Sequence, residues 1–209
     1  MNTNFGFVPS EITENTKRYA APASMNLPEE YSYKNYLPEA FNQGSNPFCV
    51  PYSISSFLNW RVNLPSGEKK DNKVVYREIF TNGGGSSDGM TFVNAFAYLK
   101  NHGVKSDAGN LKVTSYGLVN SVTALKCAII ANGPCVGALP VYDANGYYND
   151  FWNKMYGPLV GYHAISIVGY DKDGFIIRNS WGTSWGNNGY THIDWKDINK
   201  FIEIWTIME

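Results

Sequence analysis

Apolar positions fall into two different patterns along the chain. Val50, Ile54, Phe57 and Leu58 stand at i, i+4, i+7 and i+8, the spacing of one face of a helix. The run stops at Leu64-Pro65-Ser66-Gly67, a cluster of helix breakers, and predicts a buried helix. Phe92, Ala95, Phe96 and Leu99 repeat the spacing between Asp88, which can cap a helix, and Gly103, which suits a helix end. A third helix is predicted over residues 119–131, ended by Gly133-Pro134. Beyond it the pattern changes to short runs rich in Val, Ile and aromatics. Those at residues 136–141, 164–170, 175–178, 190–194 and 201–207 predict strands. A helical half followed by a strand half makes an α+β chain, expected as two lobes with a groove between them. Residues 1–25 carry little periodicity and read as an extension over the surface.

Charge and composition narrow the function. Among 209 residues, 17 Lys plus Arg face 18 Asp plus Glu, so the basic excess with which a protein neutralises phosphates is missing. Nucleic acid is therefore not an expected partner. No run approaches the ~20 apolar residues that span a bilayer, and residues 1–20 have no signal-peptide pattern. Neither a membrane nor an export signal is expected. Cys49, Cys127 and Cys135 form an odd, sparse set, unlike a disulfide framework, and point to the cytoplasm or another reducing compartment. The run Asn82-Gly83-Gly84-Gly85-Ser86-Ser87 lacks the Lys-Ser/Thr ending of a phosphate loop. No two His or Cys have zinc-ligand spacing, so neither a metal nor another cofactor is expected.

Three stretches carry chemistry: Gln43-Gly44-Ser45-Asn46-Pro47-Phe48-Cys49, then Gly161-Tyr162-His163-Ala164, then Arg178-Asn179-Ser180-Trp181-Gly182 running on to Asn188-Gly189-Tyr190. Cys49 falls at the start of the first predicted helix, and Pro51 is tolerated there because a first turn needs no amide donor. A helix start stabilises a thiolate, the nucleophilic form. An arbitrary lone cysteine is more often a small buried hydrophobe. His163 is expected to open one strand and Asn179 to close the next. They are joined by Asp171-Lys172-Asp173-Gly174, a hairpin signal, with a bulge needed to absorb a few residues of offset.

In this order and spacing, Gln, Cys, His and Asn resemble the papain-like cysteine peptidases, from about Leu27 to the C-terminus. The resemblance implies a helical lobe bearing Cys49, a β-barrel-like lobe bearing His163 and Asn179, and an active-site cleft between them. Cys49, as a thiolate paired with protonated His163, would attack a peptide carbonyl and form a thioester. His163 would protonate the leaving amine and then activate water. Asn179 would hold the imidazole in plane, with Trp181 covering their bond. Gln43 would aim its amide at the oxyanion beside the Cys49 N–H.

The resemblance extends to the substrate, a peptide or protein. Gly89, Met90, Thr91 and Phe92 fall where the family pairs its backbone with substrate, a form of strand addition. The pocket positions become Thr91, Phe92, Ala138 and Gly161, none charged, which implies an apolar or aromatic guest two residues before the scissile bond. This sequence also departs from the family pattern. Val50 follows the cysteine where a tryptophan is usual, Pro47-Phe48 precede it, and Asn46 and Ser87 stand where a disulfide is often found. Cys127 and Cys135 read as core residues. His102 near a helix end and His192 in a strand read as structural, and Asn145-Gly146 gives a further hairpin signal.

Leu27-Pro28-Glu29-Glu30-Tyr31 looks like the family's mature start, which divides the chain into an extension, residues 1–25, and a peptidase domain, residues 26–209. The extension is a candidate shortened propeptide of a zymogen, with residues 19–25 small and apolar enough to enter the cleft. The alternative is a passive tail. The expected function is a thiol endopeptidase, taken as a monomer. The competing readings are a catalytically silent binding module on the same fold, and a transferase or deamidase using the same thioester.

Overall fold

The computed structural model describes residues 5–143 and 157–209. A short strand, β1 (Tyr31–Ser32), precedes the central helix α1 (Cys49–Asn63). The predicted stripe Val50, Ile54, Phe57 and Leu58 is buried, and so is the opposite side of the helix, which carries Ser53, Ser55, Ser56, Asn59 and Asn63. Helices α2 (Tyr76–Asn82) and α3 (Phe92–Asn101) complete the first lobe. The start of α3 is capped by Thr91 and not by Asp88: the Asn94 N–H donates to Thr91 Oγ1 at 3.0 Å. A small hairpin of β2 (Val104–Ser106) and β3 (Gly109–Leu111), absent from the sequence reading, follows.

The second lobe is one antiparallel sheet flanked by a helix. Its elements in chain order are β4 (Ser115–Leu118), α4 (Val122–Asn132), β5 (Cys135–Tyr142), β6 (Leu159–Asp171), β7 (Gly174–Arg178), β8 (Tyr190–Ile193) and β9 (Glu203–Met208). The strand order is β4-β9-β5-β6-β7-β8, with β1 paired to β6. This is the expected strand lobe, and among the described residues its sheet does not close into a full barrel. The third helix begins three residues later than its apolar run suggested, because Ser121 caps it by accepting from the Ala124 N–H at 3.1 Å. Strand β6 is longer than its predicted core, and His163 therefore sits within it. The Asn145-Gly146 signal lies outside the described residues.

Two features of this sheet position chemistry. The β6–β7 hairpin turns at Asp171 and Gly174 as the sequence indicated, and its register slips between Ile167 and Gly169, the bulge that the offset required. Beneath it an aromatic core joins the lobes: Phe96 of α3 packs on Tyr116 at 4.8 Å and Trp205 at 6.0 Å between ring centroids. Cys127 and Cys135 are free and buried, as expected of core residues. His102 ends α3 and stacks on Tyr98 at 5.2 Å, while His192 meets Asp171 at 2.9 Å.

Phe57 is fully buried and packs on Trp60 at 5.6 Å. Replacing it by Ala should cost about 3–5 kcal/mol of unfolding free energy, the range for emptying an aromatic site. Urea titration of both proteins measures this, and a loss below about 1 kcal/mol would show that the α1 interface tolerates a cavity.

Candidate active site

The start of α1 shows why a cysteine belongs there. Phe48 occupies the N-cap and makes no side-chain cap bond, so the first amides of the helix lack the usual hydroxyl or carboxylate acceptor. They turn to sulfur instead: the backbone amides of Cys49 and Val50 act on the Cys49 thiol. From across the cleft the amide of Ala164, next to His163, acts on the same sulfur. The nucleophile candidate and the histidine strand therefore meet as the sequence order suggested.

His163 and Asn179 are brought together directly. The ring Nε2 lies 2.7 Å from Asn179 Oδ1. Because Asn179 Oδ1 also accepts from the Ser180 N–H at 2.8 Å, the amide is oriented with its oxygen towards the ring. Trp181 stacks on the imidazole, with centroids 4.6 Å apart and planes 27° from parallel. Trp185 closes edge-on against Trp181 at 5.7 Å. The aromatic cover thus shields the His163–Asn179 bond from water.

Gln43 is bound into the same loop. Its N–H donates to the Ser180 carbonyl at 2.9 Å, and its Oε1 accepts from the Ser180 hydroxyl at 2.6 Å. Fixing the oxygen this way turns Nε2 inward, where one hydrogen goes to the Asn46 carbonyl at 2.9 Å. The remaining hydrogen of that amide is the one that can serve an oxyanion. Ser180 was not singled out in the sequence, although it lies inside the quoted Asn-Ser-Trp-Gly stretch.

The cleft is closed by the chain's own residues 5–10. Residues 19–25, expected to enter it, lie elsewhere: the Tyr19 N–H donates to the Leu118 carbonyl at 2.8 Å on the far edge strand β4. Met90 donates to the Gly6 carbonyl at 3.0 Å, Val8 donates to the Met90 carbonyl at 3.0 Å, and Phe7 donates to the Tyr162 carbonyl at 3.3 Å. The pairing with Met90 and with Tyr162 is parallel. Phe7 is 3% exposed and packs on Phe92 at 5.0 Å, while Phe5 meets His163 at 6.1 Å and Trp181 at 6.2 Å. An aromatic-glycine-aromatic run in an otherwise polar tail was the available signal.

Glycines make the approach feasible. A Cβ on Gly6 would stand 2.2 Å from the Pro47 carbonyl oxygen, and one on Gly89 would stand 2.1 Å from that of Gly6. Gly89 also has φ 117, a conformation open mainly to glycine. Gly161 faces Phe5, and a Cβ there would lie 3.1 Å from the phenylalanine. Thus Gly89, Met90, Phe92, Gly161 and Trp181 all line the occupied groove. Thr91 spends its hydroxyl on the helix cap. Ala138 is buried within β5, paired to Ala164 and Glu203.

Glu203, paired across the sheet with Ala138, is an acid that the sequence did not single out. It is 4% exposed, and its Oε1 accepts from the Ser10 N–H at 3.2 Å and hydroxyl at 3.0 Å. A lone acid inside the apolar run of β9 was the sequence signal for it. Burial raises its carboxyl above the ordinary value.

Electrostatics in this closed form oppose the expected ion pair. Burial pushes the Cys49 thiol up to about 12, against the lowering effect of the surrounding amides, which include that of Gly6. Burial likewise lowers His163 to about 4, against the raising effect of its bond to Asn179. Both groups are neutral at pH 7. Removing water stabilises neutral forms more strongly than the helix start stabilises the anion.

The fold and this constellation define a papain-like thiol hydrolase scaffold. Residues 76–204 match the family model described as papain family cysteine protease, and the chain belongs to that family. The match includes His163, Asn179 and Trp181 and begins after Gln43 and Cys49, whose membership of the site rests on the geometry. Cathepsin B-like CP3 of Giardia intestinalis is 28% identical, with 83% of this chain and 69% of that protein aligned. Cathepsin B-like CP1 of the same organism is 40% identical over 39% of this chain, but the aligned part is only 30% of that protein's length. Among solved structures, xylellain, a cysteine protease from Xylella fastidiosa, superposes with a TM-score of 0.80. It covers 99% of this chain and 96% of its own at 19% identity, a likeness of fold.

The displaced titrations give a pH dependence with a definite sign. His163, lowered from 6.5 to about 4, stabilises the closed form fully above 6.5, and that contribution is lost as pH falls through 4. Cys49, raised from 9.0, contributes fully below 9.0 and loses it as pH rises through about 12. Glu203, raised from 4.5, works against His163 in the acid range, since its contribution is fully present below 4.5 and is lost at higher pH. Hydrogen-exchange protection of the Phe7 and Val8 amides, corrected for intrinsic exchange, should therefore fall between pH 6.5 and 4 in full-length Glu203→Gln protein. Constant protection across that range would contradict the burial of His163 by this segment.

Proposed function

We propose that this chain is a cysteine-type endopeptidase that hydrolyses peptide bonds through a Cys49 thioester and is held latent by its own residues 5–10. Two groups of observations support this. The convergence of Cys49, His163, Asn179 and Gln43 on one cleft supports the chemistry, and the backbone pairing of Gly6, Phe7 and Val8 with Met90 and Tyr162 supports the latency.

In the open cleft, departure of the segment returns water to Cys49 and His163, which favours transfer of the thiol proton to the imidazole. The thiolate attacks the substrate carbonyl carbon, and the π electrons move to oxygen. The Cys49 N–H and Gln43 Nε2 would hold that oxyanion. As the intermediate collapses, His163 gives its proton to the amine and the C–N bond breaks, leaving the thioester. Water, losing a proton to His163, then attacks the thioester and releases the acid with regeneration of the thiol. Asn179 keeps the ring in its plane throughout.

The segment is a poor substrate for the centre that it covers. It presents the Gly6 N–H to sulfur, whereas attack requires a carbonyl carbon there. Met90 and Tyr162 offer the pairing groups that an incoming peptide would use, and the seat of Phe7 against Phe92 supports an apolar or aromatic side chain in the adjoining pocket. This reading treats residues 1–25 as the inhibitory extension and residues 26–209 as the peptidase unit. The three free, buried cysteines support a reducing compartment.

Cys49→Ala should abolish hydrolysis of a peptide amide while leaving the thermal midpoint nearly unchanged; persistent turnover would remove Cys49 from its role. Gly6→Ala changes no proposed catalytic side chain, yet its methyl meets the Pro47 carbonyl. It should raise both peptide turnover and the rate of Cys49 alkylation by at least about 10-fold, the effect of ~1.4 kcal/mol of lost closure. Rates equal to wild type in both assays would reject inhibition by this segment.

A further inference from the structure

Arg178 is 2% exposed and sits at the end of β7, immediately before Asn179. Its Nη1 donates to the hydroxyls of Ser56 at 3.1 Å and Ser55 at 3.5 Å, both on α1. Nη2 donates to the carbonyls of Glu39 at 2.8 Å and Pro38 at 3.2 Å, in the loop that leads to Gln43. The guanidinium also lies 5.1 Å over the ring of Phe41. Ser56 passes the connection to β6, where its hydroxyl bonds that of Ser166 at 2.7 Å, and Ser166 donates to the Ser53 carbonyl at 2.6 Å. Ser166 is three residues beyond His163.

Every piece that carries a proposed catalytic group therefore meets at one side chain. No carboxylate lies within ion-pair distance of Arg178 among the described residues. Its titratable neighbours are the phenols of Tyr190 on β8 and Tyr76 on α2, with Asp71 the more remote acid. Burying an ion without an opposite charge is costly. An apolar side chain would fill the same space without that cost, but it could not hold two carbonyls and two hydroxyls in one plane as a guanidinium fork does. Asn179 cannot shift relative to α1 without breaking this fork.

We propose that Arg178 is a positioning residue for the thiol centre. Its fork locks the Asn179 end of β7 and the loop before Gln43 onto α1, so that Cys49, His163 and the oxyanion donors keep their alignment when the cleft opens. Its charge has a second consequence. Ser56 is seven residues after Cys49, about 10 Å along a helix, near enough for the fixed cation to favour the thiolate.

The inference rests on the thiol peptidase reading and is tested on the full chain in the Gly6→Ala background, which relieves closure, by comparing that parent with the same protein carrying Arg178→Met, Arg178→Lys or Ser56→Ala. Peptide hydrolysis and the pH profile of Cys49 alkylation are measured well below each protein's thermal midpoint. Arg178→Met should lower kcat about 10–100-fold with KM within about twofold, the signature of lost transition-state alignment. It should also move the acid limb of the alkylation profile up by about one pH unit, the Coulombic effect expected at that separation. Arg178→Lys should restore the limb and only part of kcat. If Arg178→Met does not fold, Arg178→Lys and Ser56→Ala still decide: both should lower kcat at unchanged KM. Folded variants with the parent's kcat, KM and pH profile would overturn the proposal, as would losses that track the thermal midpoint alone. Full-length Gly6→Ala protein that neither hydrolyses peptide nor alkylates selectively at Cys49 would sink the peptidase reading itself.

Discussion

The structure depends on the burial of α1 between the two lobes, with a polar side that must find partners away from water. Ser53, Ser55, Ser56, Asn59 and Asn63 are all buried, and an unsatisfied buried polar group costs ~1–3 kcal/mol. Their partners are specific. Ser56 meets Ser166 and Arg178 from the sheet side. Asn59 and Asn63 reach Tyr76, Tyr36, Lys70 and Asn72, and so tie down the loop that follows the helix. A purely apolar helix could slide or rotate in such an interface. A helix with this many directional bonds has one seat, and the seat sets where Cys49 meets the strand that carries His163.

The closed cleft follows from the same economy of groups. Met90 and Tyr162 expose backbone donors and acceptors along the groove, and such an edge invites an extended chain. Gly6, Phe7 and Val8 satisfy them, with Phe5 and Phe7 placed on either side of a glycine. The departures from the family pattern around Cys49 become intelligible here. The Pro47 carbonyl forms the wall against which only a glycine fits at position 6, and Phe48 turns away to pack on Phe80 at 4.6 Å. Where the family often places a disulfide, Asn46 instead bonds back to Gln43, stiffening the loop that carries that amide.

Protonation is where packing overrides local chemistry. A cysteine at a helix start, facing amide hydrogens, is the arrangement that lowers a thiol's pKa in water. With Gly6 against the sulfur and Phe5 against the imidazole, desolvation reverses the sign for the thiol and drives the imidazole neutral. The centre is thus assembled in geometry and quiet in charge, a combination that depends on what lies in the cleft more than on the centre's own residues.

The division between what was legible in the chain and what was not follows physical lines. Periodicity located α1, α3 and the strands from β5 onward because a stripe of buried side chains repeats within a few residues. The Asp171-Lys172-Asp173-Gly174 turn announced the hairpin that folds His163 towards Asn179, since turn chemistry is local. The order of Gln43, Cys49, His163 and Asn179 likewise pointed to one cleft, where the fold brings these residues together. Three matters lay beyond that range. The Ser180–Gln43 bond and the Arg178 fork depend on groups separated by up to 140 residues along the chain. Which part of the tail enters the cleft was misjudged, because the choice between residues 5–10 and 19–25 turns on register: Phe7, Gly6 and Ser10 must meet Phe92, Pro47 and Glu203 at once. Local composition sets which segments can be helix, strand or turn, whereas burial and long-range hydrogen bonding are properties of the assembled molecule. They alone decide the neutral state of the Cys49–His163 pair.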